Sequence, residues 1–203
     1  MSNPTPIQNL APDELRRAVA DRYGQVARQP TGAFNFPVGR AFAEAIGYPP
    51  HLLDALPTAA ASFAGVAYLP AWTALAPGET VVDLGCGAGL DTLIAAQTVG
   101  PGGRVHAVDV SAAMVELAQA NARAAGLENV VAHHAPVEAL PLPDAAADVA
   151  IANGVFNLAP EKERAAAEVF RVLKPGGRLV GAEIVLTEDV PRAARATLDD
   201  WFR

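Results

Sequence analysis

Short apolar segments and helical segments alternate from Gly78 onward, and this alternation constrains the fold more than any other feature of the sequence. Strand–helix–strand units of this length predict an α/β protein with a doubly wound parallel sheet. The five predicted strands are ETVVDLG (79–85), RVHAVDV (104–110), NVVAHH (129–134), ADVAIAN (147–153) and RLVGAEIVL (178–186). The predicted helices are Gly89–Thr98, the segment from the N-cap Ser111 to Gly126, Glu161–Leu173 and Pro191–Phe202, with a turn at Lys174–Gly177.

The first 75 residues show helical spacing without strand alternation. We therefore predict a helical cap on the substrate side over 1–75 and a ligand-binding α/β domain over 76–203. Pro12 suits the first position of a helix. The predicted cap helices are Pro12–Arg28, Gly39–Ile46, Pro50–Leu56 and Ala59–Leu75, the last with Pro70 as a break point.

Composition narrows the function classes. Net charge is −7 with no basic block, which argues against binding to nucleic acid. No apolar run is long enough to span a bilayer, and the first residues lack a signal peptide, so we expect a cytoplasmic protein. The single cysteine, Cys86, excludes an internal disulfide and a cysteine-based zinc site, and we expect no metal.

A glycine loop follows the first predicted strand. Gly85, Gly87 and Gly89 allow the backbone to approach a ligand closely at the start of a helix. The dinucleotide fingerprint requires its third glycine one residue later, where this chain has Leu90. Asp83, just before the glycines, also suits a ligand with a cationic amine better than one with a diphosphate.

An acidic residue closes the second predicted strand. Asp109 lies 20 residues after Gly89, where doubly wound folds place the acid that accepts hydrogen bonds from ribose hydroxyls. The alternative is a tight turn with a solvated surface aspartate. The strand context and the spacing together favour a nucleoside site.

Four motifs, D-x-G-x-G-x-G, VDVS, VEALPLPD and RVLKPGGRLV, make Glu79–Leu186 resemble a class I S-adenosylmethionine-dependent methyltransferase. RYGQVA, GYPPHLLDALP and IANGVFNL extend the similarity to the arsenite methyltransferase branch. The resemblance implies a Rossmann-like sheet of order 3-2-1-4-5 and S-adenosylmethionine as cofactor. Because the sulfonium is already activated, it implies no catalytic base.

The resemblance also implies contacts between nine residues and the cofactor. They are Gly85 and Gly87 under its methionine part, Asp83 near its amino group, Asp109 on the ribose, Val110 and Met114 beside the adenine, Val137 on the adenine edge through its backbone, Asn153 near the sulfonium, and Tyr23 over the top from the cap. For Tyr23, a core aromatic on an amphipathic helix is an equal alternative.

The sequence departs from the arsenite branch in the residues that bind arsenic. By spacing, Val66 and Gly154 stand where relatives carry cysteines, and Cys86 alone cannot supply the convergent sulfur ligands that As(III) needs. We therefore expect a small-molecule acceptor other than arsenic. Pro136 replaces an acid that can accept from the adenine amino group, and the nearby Glu138 and Asp144 are expected at the surface.

A further departure is length, because the family usually continues past the fifth strand while this chain ends at Arg203. That predicts an exposed edge at Arg178–Leu186 and a possible homodimer through it. The leading hypothesis is a methyltransferase acting on a small molecule. The alternatives are a catalytically degenerate S-adenosylmethionine-binding or assembly module and, disfavoured by Leu90, a nucleotide-dependent oxidoreductase.

Overall fold

Five parallel strands form one sheet of order β3-β2-β1-β4-β5 in the computed structural model, which describes residues 10–185 and residue 197. The strands are β1 Thr80–Leu84, β2 Arg104–Asp109, β3 Val130–His134, β4 Ala147–Asn153 and β5 Leu173–Ala182. The predicted parallel sheet and its strand order are confirmed. The order reverses beside β1, so the loops after β1 and β4 flank the place where such sheets bind ligands.

Helices cover both faces of the sheet. The helices are α1 Pro12–Arg28, α2 Arg40–Ala45, α3 Pro50–Ala55, α4 Pro57–Ala61, α5 Pro70–Thr73, α6 Leu90–Val99, α7 Ala112–Ala124 and α8 Lys162–Val172, with a 3-10 turn at Phe156–Leu158. Successive residues of a strand face opposite sides. Val81 of β1 accordingly packs in the core shared with α6, α7 and the cap, whereas Val82 packs in the core under α8.

One predicted cap helix differs from the structure. The helix expected over Ala59–Leu75 is two short helices, α4 and α5, joined by residues 62–69. The break predicted at Pro70 is present, because Pro70 lacks the N–H that a continuing helix needs and instead opens α5. Helix α4 ends earlier, at Ala61. Helix α5 ends at once because Ala74 adopts a left-handed conformation with φ of 45°.

The fifth strand also differs from the prediction. Residues 174–177, expected as a turn, lie within β5, where the pairing with β4 shifts between Ala147 and Val149. Such a shift accommodates extra residues as a bulge, and Gly176 with φ of 81° supplies the unusual backbone there. The strand ends at Ala182, short of the predicted Leu186. The predicted helix Pro191–Phe202 lies outside the described residues.

Helix α1 carries the cap across the carboxyl edge of the sheet. It begins and ends as predicted, at Pro12 and Arg28. Its Gly24 is buried, and a Cβ placed there would lie 3.4 Å from Ser111 Oγ at the start of α7. This close approach lets the inner side of α1 reach the loops that follow β2 and β3. No helix in the described part of the chain is long and apolar enough to cross a membrane.

Candidate active site

The glycine loop between β1 and α6 has the backbone conformation that its composition predicts. Gly85, Gly87 and Gly89 have φ values of 66°, 52° and 90°, a region that residues with a Cβ rarely adopt. A Cβ built on Gly87 would meet no atom within 4 Å, so the space above this residue is open to a ligand. The loop therefore presents bare backbone to the cleft described below.

Asp109 ties this loop to the end of β2. Its Oδ2 accepts the Gly87 N–H at 2.9 Å and its Oδ1 accepts the Ser111 N–H at 2.8 Å. Only 7% of the residue is exposed, so the surface-aspartate alternative does not describe it. Desolvation raises the pKa of the Asp109 carboxyl, although the backbone donors of Ser111, Gly87 and Val110 favour the charged form. An ionised carboxylate offers about four acceptor positions, so positions remain for hydroxyl donors of a ligand.

One cleft at the carboxyl edge contains all nine residues predicted to contact the cofactor. Its empty volume is about 940 Å³, part of it open to solvent. The nine lining residues are Tyr23, Asp83, Gly85, Gly87, Asp109, Val110, Met114, Val137 and Asn153. The sheet topology explains this convergence, because each predicted residue outside the cap lies in or directly after the carboxyl half of a strand, or in the first turn of α7.

Carboxylates dominate the charge of the cleft floor. Asp83 is buried, and its Oδ2 accepts the Thr92 hydroxyl at 2.5 Å. Desolvation and the neighbouring Asp91 raise the pKa of Asp83 well above its ordinary value. Burial also raises the pKa of Asp91, to about 6. A cationic ligand group near these carboxyls would relieve their mutual repulsion, whereas a diphosphate would add to it.

Asn153 occupies a more connected position than the sequence suggests. It lines the cleft, but its Oδ1 accepts the Val66 and Ala67 N–H groups at 2.7 and 3.2 Å. Its Nδ2 donates to Ala67 O at 2.9 Å and to Asp91 Oδ2 at 2.8 Å. The side chain therefore fastens cap residues 66–67 to the end of β4.

Sequence reasoning missed two members of this network. The Tyr48 hydroxyl donates to Asp91 Oδ1 at 2.6 Å and lies 3.3 Å from Asn153 Nδ2. Tyr48 and Asp91 are both buried. An acid in the first turn of a helix ordinarily complements the helix dipole at the surface, so the position of Asp91 gave no sign of burial.

The expectation that Glu138 lies at the surface is wrong. Only 3% of it is exposed, it lines the cleft, and its Oε1 lies 3.3 Å from Arg16 Nη2. A buried carboxylate needs such a partner, and Arg16 comes from the distant helix α1, so no local pattern reveals it. Asp144 is at the surface as expected, with its side chain 80% exposed beside Arg171.

Val66 and Gly154, the positions where the resemblance to the arsenite branch implies cysteines, are adjacent in this structure. A Cβ built on Gly154 would lie 3.0 Å from Val66 Cγ1. Neither residue has sulfur, and the single cysteine of the chain, Cys86, is buried in the glycine loop. Desolvation and the carboxylate of Asp109 raise the pKa of the Cys86 thiol well above its ordinary value. Among the described residues, no cluster of three or more His, Cys, Asp or Glu side chains could hold a metal ion.

This combination of sheet order, glycine loop and buried carboxylate at the end of β2 is that of a Rossmann-like α/β fold. A family model described as a methyltransferase domain matches residues 75–203. The chain belongs to this methyltransferase domain family.

Individual relatives point the same way. The chain is 34% identical to an arsenite methyltransferase of Halobacterium salinarum, over 93% of this chain and 52% of the relative. It is 30% identical to an arsenic(III) S-adenosylmethionine methyltransferase from Chlamydomonas reinhardtii, with a TM-score of 0.59 over 78% of this chain and 53% of that one. A SAM-dependent methyltransferase from Aquifex aeolicus is 26% identical, with a TM-score of 0.55 over 77% and 80%. The chain spans about half of the Halobacterium relative's length.

Proposed function

We propose that this chain binds S-adenosylmethionine and transfers its methyl group to a small-molecule acceptor. The observation that carries the proposal is the hydrogen bond between the glycine loop and Asp109. The carboxylate accepts the Gly87 N–H and has further acceptor positions for ribose hydroxyls. The match to the methyltransferase domain family supports it.

The residues of the cleft suit the chemical groups of this cofactor. Gly85 and Gly87 would lie under its methionine part, and the carboxyl of Asp83 would attract its ammonium group. Val110, Met114 and Val137 provide apolar surface for the adenine beside Asp109. The buried carboxyls Asp83, Asp91 and Asp109 favour a ligand with positive charge over a dinucleotide.

The protein's part in catalysis would be to bind and position the two reactants. The bound cofactor supplies a sulfonium-activated methyl group, so the chain needs no nucleophile of its own. The glycine loop and Asp109 would fix the nucleoside. The Asn153 network would fix cap residues 66–67, which follow Gly65 of the cleft lining. Holding an acceptor in line with the methyl group converts a bimolecular step into an effectively unimolecular one.

The cap side of the cleft indicates the character of the acceptor. Val19 and Phe63 of the cap, and Val155 and Leu158 of the segment after β4, line the cleft with apolar surface. We infer an acceptor that is small and largely apolar. As(III) does not fit, because the neighbouring residues Val66 and Gly154 provide no thiolates.

The proposal is tested by measuring S-adenosylhomocysteine formation with a panel of small apolar alcohols, amines and thiols, with arsenite as a further acceptor. The proposal expects cofactor-dependent product with at least one non-arsenic acceptor. Asp109→Asn should reduce the turnover and the matched variant Asp148→Asn should not, since Asp148 lies outside the cleft. Cofactor binding without product from any acceptor would instead support a catalytically degenerate binding module.

We also propose that the chain forms a homodimer through strand β5. Strand β5 lies at one edge of the sheet, and its Leu179 is 45% exposed. Ile184 and Val185, which follow the strand, are also exposed. Within residues 10–185 no strand pairs with the outer edge of β5, and such an edge with apolar side chains can be covered by a twofold contact with a second copy of the chain.

A further inference from the structure

One side of helix α1 forms part of the cleft wall. Arg16, Val19 and Tyr23 all line the cleft, and their spacing of three and four residues places them on one face of the helix. Tyr23 continues this wall by stacking on Phe36 of the cap, with ring centroids 5.5 Å apart. A ligand that reaches the glycine loop and Asp109 would therefore lie beneath this helix.

A single guanidinium joins α1 to the loops on both sides of the cleft. Arg16 Nε and Nη2 each lie 3.3 Å from Glu138 Oε1, in the segment after β3. Its Nη2 also bonds Glu161 Oε2, at the start of α8 after β4. Its Nη1 pairs with Asp13 of its own helix at 2.7 Å. The side chain of Arg16 is only 16% exposed, so these contacts are partly shielded from solvent.

The two anchors are themselves connected. The Glu161 backbone N–H lies 3.4 Å from Glu138 Oε1, the same oxygen that Arg16 contacts. Lifting α1 from the cleft would leave the buried Glu138 carboxylate without its cationic partner, which is costly in a poorly solvated site. The contacts thus resist opening of α1 at the end of the cleft where Glu138 lies.

We propose that Arg16 is a latch that holds α1 over the cleft and sets the rate at which the cofactor enters and leaves. The inference rests on the proposed function, because it concerns the ligand of that same cleft. As proposed, the latch joins α1 to Glu138 and Glu161 and forms both before and after the ligand binds. Its loss should then speed both entry and exit, while the dissociation constant changes less than either rate.

The test compares Arg16→Gln with the matched control Arg17→Gln, using S-adenosylhomocysteine binding to immobilised protein followed by surface plasmon resonance. Arg17 is the exposed neighbour on the same helix, and its contact among the described residues is with the Asp13 carbonyl oxygen, at 3.2 Å. We expect Arg16→Gln to raise both rate constants about tenfold, the change that corresponds to one charge-assisted hydrogen bond. Arg17→Gln should leave both rates as in the wild type.

A second variant separates a latch from a general loss of stability. Glu161→Gln should raise both rates less than Arg16→Gln, and the double variant should be no faster than Arg16→Gln alone. If Arg16→Gln has wild-type rates, or raises only the dissociation rate, the latch is refuted. If the wild type does not bind S-adenosylhomocysteine at all, the proposed function fails, which is a different result.

Discussion

The substitution Asp109→Asn tests the joint on which the proposed cofactor site depends. In the wild type the two Asp109 carboxylate oxygens accept the Gly87 and Ser111 N–H groups, and under the proposed function each also accepts one ribose hydroxyl. In the variant an NH₂ group replaces one oxygen, so one hydroxyl loses its acceptor and the other bonds a neutral acceptor. A charge-assisted hydrogen bond contributes about 1.5–3 kcal/mol and a neutral one about 1 kcal/mol.

The two losses together amount to about 2–5 kcal/mol of binding free energy, or a roughly 30- to 5,000-fold larger dissociation constant. The variant leaves one backbone N–H facing the NH₂ group of the amide, which is unfavourable. It also removes a desolvated charge, which offsets this cost, so folding should survive. Isothermal titration with S-adenosylhomocysteine measures the affinity, and thermal unfolding without ligand checks the fold.

Asp148→Asn is the matched control for this substitution. Asp148 also accepts a backbone N–H, from Thr80 at 2.8 Å, but it lies near the amino end of β4 and pairs with Lys174. We expect it to leave the affinity unchanged. Equal affinities of wild type, Asp109→Asn and Asp148→Asn would refute the assignment of Asp109 to the ribose.

Three further predictions concern arsenic, pH and association. Incubation with As(III), a thiol reductant and S-adenosylmethionine should give no methylarsenicals above the Cys86→Ser background, because Val66 and Gly154 lack thiols. Turnover that survives Cys86→Ser would contradict the argument that As(III) needs cysteine ligands here. Burial raises the pKa of Asp91 from 3.8 to about 6, so folding takes up a proton in this interval and the stability from this group is lost as pH rises through 6. The free energy of unfolding of Asp91→Asn relative to wild type should therefore increase by about 2–3 kcal/mol from pH 4 to pH 8 in urea titrations, and a flat difference would contradict the burial effect. Light scattering should report a mass near twice 21.0 kDa that Leu179→Glu lowers to that of a monomer, whereas a monomeric wild type at high concentration would argue against the dimer.

The sheet could be predicted because its signals are local. Each strand is a short apolar run, and the glycine loop and Asp109 follow strands whose carboxyl ends meet at one edge. The prediction of a turn failed because the same local composition is compatible with a turn or with a bulge in a strand. Residues 174–177 have the composition of a turn, yet pairing with β4 incorporates them in β5 as a bulge.

Contacts between distant segments could not be predicted from the sequence. Tyr48 meets Asp91 across 43 positions, and Arg16 meets Glu138 across 122. Neither pair has a periodicity or a motif, because each depends on how the cap packs on the sheet. The same packing buries Glu138, a residue type that is otherwise almost always exposed.

The most direct test of the central claim is calorimetric titration of the wild-type chain with S-adenosylmethionine, and separately with NAD under the same conditions. The glycine loop, Asp109 and the acidic floor of the cleft predict binding of one S-adenosylmethionine per chain and no measurable heat with NAD. Binding of NAD without S-adenosylmethionine, or of neither ligand by folded protein, would contradict the account.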